Sequence, residues 1–147
     1  MRPFHILLIE DNEGDIYITT EALKKEKTID KISIARNGQE GIDLLEHAIK
    51  AANNSLPDVI LLDINLPFKN GHEVLCHIKE NIATRHIPVI MLTTSSSEND
   101  IIQSYNYHAN CVITKPDDVE DFYRFIEGVV NFWVSIVKLP TRKITYK

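Results

Sequence analysis

The chain has 147 residues, 44 % of them hydrophobic and 25 % charged, which is enough for one domain with a real core. Its 21 acidic side chains outnumber 16 basic ones, leaving a net charge of −5, and that balance argues against nucleic acid as the partner. No apolar run approaches the roughly 18 residues needed for a membrane span, so no membrane association is expected.

Met1-Arg2-Pro3-Phe4-His5 leads almost directly into the first apolar run, with no signal-peptide pattern. Five short runs follow one another along the chain: Ile6-Leu7-Leu8-Ile9, Ile32-Ser33-Ile34-Ala35, Val59-Ile60-Leu61-Leu62, Val89-Ile90-Met91-Leu92 and Cys111-Val112-Ile113-Thr114. Each is too short for a helix and rich in β-branched residues, so each is expected to be a strand. The first, third and fourth are nearly continuous in apolar character, which predicts strands covered on both faces, as in a parallel sheet.

Between and after the strands, helical periodicity predicts helices over 14–26, 38–52, 71–82, 98–107 and 118–138. Asn37 and Ser97 are expected N-caps, and Gly71 stands where a loop turns into helix. Strand followed by helix, five times over, gives a doubly wound α/β sheet. Right-handed crossovers favour the strand order 2-1-3-4-5. Cys76 and Cys111 lack C-x-x-C spacing and the six histidines lack an H-x-x-x-H pair, so reduced thiols in a cytoplasmic protein are expected rather than a disulfide or zinc site.

In such sheets, ligands bind beyond the carboxyl ends of the strands, at the switch point between strands 1 and 3. There the sequence places Glu10-Asp11 after the first strand, Asp63 after the third, Thr93 after the fourth and Lys115-Pro116 after the fifth. Any one of these acids alone is more often a cap or a solvated loop residue. Together they are hard to explain by chance. Two like charges about 4 Å apart repel by about 4 kcal/mol at an effective dielectric near 20, so three clustered carboxylates call for a cation. An all-oxygen donor set favours Mg²⁺.

The pattern Glu10-Asp11, then Asp63 with Pro67 and Gly71, then Thr93, then Lys115-Pro116 resembles the receiver domains of two-component signalling, over about residues 4–130. Further stretches resemble the stand-alone response regulators that partner cyanobacterial and bacterial phytochromes. These are Glu10-Asp11-Asn12 with Gly14-Asp15, Asp63-Ile64-Asn65-Leu66-Pro67, the Ala51-Ala52-Asn53-Asn54 loop, and Phe132-Trp133 leading to Ile136-Val137-Lys138-Leu139-Pro140. That likeness spans nearly the whole chain, so residues 1–140 are expected to form the receiver and 141–147 a flexible basic tail. With only about ten residues after the last helix, no output domain is expected to follow, and the output must be protein–protein contact.

The resemblance implies roles residue by residue. Asp63 would be the nucleophile that takes a phosphoryl group from a phosphohistidine. The donor would be a sensor histidine kinase, phytochrome-like or otherwise, or a phosphotransfer protein. Asp11 would bind Mg²⁺ directly, Glu10 directly or through water, and Asn65 through its backbone carbonyl, with Asp63 completing the set. Lys115 would pair first with Asp63 and then with a phosphoryl oxygen, and Thr93 would donate its hydroxyl to the attached group. The Lys115–Pro116 peptide would be cis. Two positions depart from the common receiver pattern. Glu10 replaces the usual first aspartate, and Val112 stands where many receivers carry an aromatic side chain that swings with the switch hydroxyl.

The last helix adds a second signal. Phe122, Phe125, Ile126, Val129, Val130, Phe132, Trp133, Ile136 and Val137 span an arc of roughly 160° at about 100° per residue. That is wider than the stripe of about 100° or a little more that packs one helix on a sheet. A homodimer interface through Phe122, Phe125, Val129, Phe132, Trp133 and Ile136 is the expectation.

Other readings fit less well. A haloacid-dehalogenase-like phosphohydrolase, with its own aspartyl nucleophile, places D-x-D after the first strand, whereas Asp63-Ile64-Asn65 follows the third. A flavodoxin-like cofactor binder needs a Gly- and hydroxyl-rich phosphate loop where this chain has Glu10-Asp11-Asn12-Glu13-Gly14-Asp15, whose acids would repel a phosphate. A pseudo-receiver that only binds partners usually lacks an acid or the lysine, and none is missing here.

Overall fold

The computed structural model describes residues 4–51, 55–94 and 97–140. The expected tail 141–147, the first three residues and Ala52-Asn53-Asn54 lie outside the described residues. Strands and helices alternate in chain order: β1 (Phe4–Ile9), α1 (Glu13–Lys24), β2 (Ile29–Ala35), α2 (Gly38–Lys50), β3 (Val59–Asp63), α3 (Gly71–Glu80), β4 (Val89–Thr93), α4 (Glu98–Asn106), β5 (Cys111–Thr114) and α5 (Val119–Val130). The sheet is parallel in the order β2-β1-β3-β4-β5. The crossover between β1 and β3 therefore sits where the two halves of the sheet diverge.

Every residue of β3 and β4 is buried, as their unbroken apolar runs predict for strands covered on both faces. Alternate residues divide between two cores. Leu7, Ile9, Ile60, Leu62 and Met91 pack with α2 and α3, including Leu45, Val74, Leu75 and Ile78. Ile6, Leu8, Leu61, Ile90 and Leu92 pack with Ile16 and Leu23 of α1 and with Phe122, Ile126 and Val130 of α5. A one-residue slip would exchange these faces, so the period of two fixes the register. β1 and β2 both begin earlier than their apolar runs. The Asp30 carboxylate accepts a hydrogen bond from the Phe4 N–H at 2.8 Å and closes that end of the pair.

Four asparagine or serine side chains start helices. Asn12, Asn37, Asn70 and Ser97 accept from the backbone N–H groups of Asp15, Glu40, Glu73 and Asp100. Glu73 returns the bond to the Asn70 N–H, completing a capping box at the start of α3.

Instead of one helix over 118–138, α5 ends at Val130 and a π-helical segment continues over Asn131–Ile136. The Val137 N–H reaches the Phe132 carbonyl at 2.9 Å. The widened turn lets Trp133, Val134 and Leu139 lean on the core layer while Phe132 and Ile136 face outward. The broad apolar arc is thus divided between two surfaces. Phe122 is only 4 % exposed and belongs to the core, so its expected place in a dimer interface is corrected: its side chain faces the sheet. Val129 and Trp133 are half-buried against the same layer. No helix among the described residues is long and apolar enough to cross a membrane.

Candidate functional site

Four strands deliver polar side chains to one edge of the sheet. Glu10 follows β1 directly, and its N–H donates to the Ala35 carbonyl of β2 at 2.9 Å. Its side chain is 2 % exposed and accepts from the Asp11 and Asn12 N–H groups at 3.1 and 3.3 Å. Asp63 ends β3 and is buried; one carboxylate oxygen accepts from the Asn65 N–H at 3.4 Å. Thr93 ends β4, fully buried, and its carbonyl accepts from the Lys115 N–H at 2.7 Å. That bond ties the end of β5 to the end of β4.

Close backbone approach holds the loop after Asp63 in place. A Cβ on Gly71 would lie 2.3 Å from the Asp63 carbonyl oxygen, and one on Gly38 would lie 2.0 Å from the Lys69 carbonyl oxygen. Only glycine lets α3 begin against β3 and α2 begin against the loop between them.

Carboxylate oxygens of Glu10, Asp11 and Asp63 lie within 4.8 Å of one another, with Asp11 exposed and the other two buried. Oxygen donors alone, in a mouth open on the Asp11 side, suit a hard divalent cation. The Lys115 ammonium enters from the far side, almost completely buried. It hydrogen-bonds Glu10 and, at 2.9 Å, Asp15 Oδ2, and it stands 3.7 Å from Asp63 Oδ2.

Burial raises the Glu10 carboxyl to about 7, against the pull of the Lys115 hydrogen bond, and the Asp63 charge adds to the rise. Asp63 is likewise raised by burial, with the Lys115 charge opposing. Burial alone would lower Lys115, but hydrogen bonds to Asp15 and Glu10 and the charge of Asp63 hold it above its ordinary value. The site is a largely buried cluster with surplus negative charge.

All the predicted site residues at the strand ends reach this edge. Asn65 is exposed beside Asp63 and offers its N–H to that carboxylate. One expectation is corrected. The Lys115–Pro116 peptide is trans, as is every peptide bond among the described residues; the tertiary amide of an X–Pro bond leaves trans the lower-energy form. Lys115 forms the expected ion pair with Asp63 at 3.7 Å, but its hydrogen bonds go to Glu10 and Asp15, because the first turn of α1 brings a further carboxylate within its reach. Asp15 is the residue that strand-end reasoning missed. Its signals were its position four residues beyond Asp11 and its place in the Gly14-Asp15 stretch of the family resemblance, neither of which pointed to Lys115. Val112 is half-buried against the α2–α3 core layer, and its N–H donates to the Tyr105 hydroxyl of α4 at 3.2 Å.

A family model described as the response regulator receiver domain matches residues 6–127. The chain belongs to that family. This receiver is 40 % identical over 138 residues to response regulator Rcp1 of Synechocystis sp., covering 94 % of each chain. The crystal structure of the phosphorylated cyanobacterial phytochrome response regulator RcpA superposes with a TM-score of 0.89 at 40 % identity, over 95 % of this receiver and all of that chain. The Mn²⁺-bound form of Rcp1 gives 0.86 at 41 % identity over the same share. The receiver is thus a response regulator whose likeness to these relatives runs through its entire fold.

Proposed function

We propose that this receiver accepts a phosphoryl group on Asp63 from a phosphohistidine of a sensor histidine kinase or phosphotransfer protein, with Mg²⁺ as cofactor. The observation that carries this reading is the placement of Asp63. Its carboxylate shares a 4.8 Å cluster with Glu10 and Asp11 and has the Lys115 ammonium 3.7 Å away. The likeness to phosphorylated RcpA supports it, and the phytochrome named there makes a phytochrome-like kinase the first donor to test.

Asp11, Asp63, Glu10 and the Asn65 carbonyl would hold the cation. When bound, it neutralises charge that develops on the transferring oxygens. An Asp63 oxygen forms a bond to phosphorus as the phosphorus–nitrogen bond of the donor breaks, and the imidazole leaves neutral if its ring carries a proton. The product is an acyl phosphate. Lys115 supplies a positive charge to one phosphoryl oxygen, and the Thr93 hydroxyl donates to another. Positioning and charge are the whole of the protein's task.

Acetyl phosphate with Mg²⁺ tests the reading directly. Intact-mass measurement should find one added phosphoryl group, mapped to the peptide containing Asp63. Asp63→Asn should abolish it, and chelation or Asp11→Ala should remove most of it. A label that persists in Asp63→Asn would refute the assignment.

The output reading is contact with a second copy through the outward side of α5 and the π-helical segment. Phe132 and Ile136, 48 % and 62 % exposed, favour it together with half-buried Phe125. In this reading phosphorylation biases a surface that already samples two arrangements.

A further inference from the structure

Lys115 has three N–H donors and three carboxylates around it, and the distances rank them. Glu10 and Asp15 are hydrogen-bonded, whereas Asp63 is 3.7 Å away, beyond a hydrogen bond. Asp15 is not one of the three acids clustered within 4.8 Å. Its side chain points at the lysine instead. Its backbone is fixed by the first turn of α1, where the Asn12 side chain accepts from the Asp15 N–H at 2.9 Å. Nothing on α1 needs to move for the pair to persist.

We infer that Asp15 is a positioning residue that holds the Lys115 ammonium back from Asp63 and so sets how readily the site takes a phosphoryl group. This rests on Asp63 being the acceptor. A phosphoryl group on Asp63 brings new anionic oxygens beside the lysine, and charge-assisted hydrogen bonds to them draw the ammonium toward Asp63 and away from Asp15. Asp15 therefore competes with the product for one cation. Removing its charge frees the lysine and favours the phosphorylated form.

A double-mutant cycle tests this, because it separates an effect acting through Lys115 from a general loss of negative charge. The four proteins are wild type, Asp15→Asn, Lys115→Ala and the double variant. Each is incubated with phosphoramidate and Mg²⁺, and the rate of mass gain on the Asp63 peptide is followed over hours. Asp15→Ala is carried alongside, and thermal melts establish that each protein is folded.

The expected result is labelling about two- to five-fold faster in Asp15→Asn than in wild type, the scale of a partly exposed ion pair. Asp15→Ala should match it, and the gain should vanish when Lys115 is alanine. An equal gain in both lysine backgrounds would reduce Asp15 to a bystander charge and overturn the inference. So would an unchanged or slower rate in Asp15→Asn. Absence of any label in wild type would instead strike the acceptor assignment itself.

Discussion

Glu10 bears a heavy electrostatic load. It is buried, shares its space with Asp63, and is raised from 4.5 to about 7. Between those two values the folded protein holds a proton on Glu10 that the unfolded chain has released. Metal-free stability therefore declines as pH rises through that window. Asp63 shifts in the same direction. Wild type should lose stability relative to Glu10→Gln from pH 5 to pH 7, measured by urea denaturation in chelator; a difference constant across that range would contradict the buried environment. Phe68 presents a different load. It adopts φ 67° in the loop that follows β3 and is 87 % exposed. The left-handed conformation costs a non-glycine residue roughly 1–2 kcal/mol, and so exposed a ring has little packing to lose. Phe68→Asn should therefore gain about 1 kcal/mol, seen as a higher urea midpoint with an unchanged slope.

At the scale of elements, the start of α3 decides where Asp63 sits. Gly71→Ala forces a Cβ to within 2.3 Å of the Asp63 carbonyl oxygen, a backbone clash that no rotamer relieves. We expect a loss of about 1–3 kcal/mol by overpacking and slower labelling of Asp63, read by chemical denaturation and by mass. Wild-type values in both would mean the loop yields more easily than its packing suggests. The strands were legible because short β-branched runs between turn signals are a local property, and the caps at Asn37 and Ser97 for the same reason. The π-helical segment was not. A 3.6-residue period is compatible with Phe132, Trp133 and Ile136 continuing one helix. The choice of a wider turn depends on Trp133, Val134 and Leu139 reaching the core layer beside α5, which no local pattern encodes.

For the molecule as a whole, the proposed contact with a second copy lies on the outward side of the last helix. Phe132→Asp together with Ile136→Asp should shift sedimentation equilibrium from dimer to monomer while leaving the thermal midpoint nearly unchanged, since both side chains are exposed. A monomeric wild type would remove the second-copy reading and leave the acceptor reading intact. The amino-acid sequence by itself determined the alternation of strands and helices, their order in the sheet, and the arrival of Glu10, Asp11, Asp63, Thr93 and Lys115 at one edge. Hydrophobic period and strand-end position follow directly from residue type. Tertiary structure alone decided which carboxylates the lysine takes, because a long flexible side chain goes where packing of α1 on the sheet puts its partners. It likewise decided that Phe122 faces inward and Phe132 outward, because the same apolar character serves a core or a surface until neighbouring elements close over one of them.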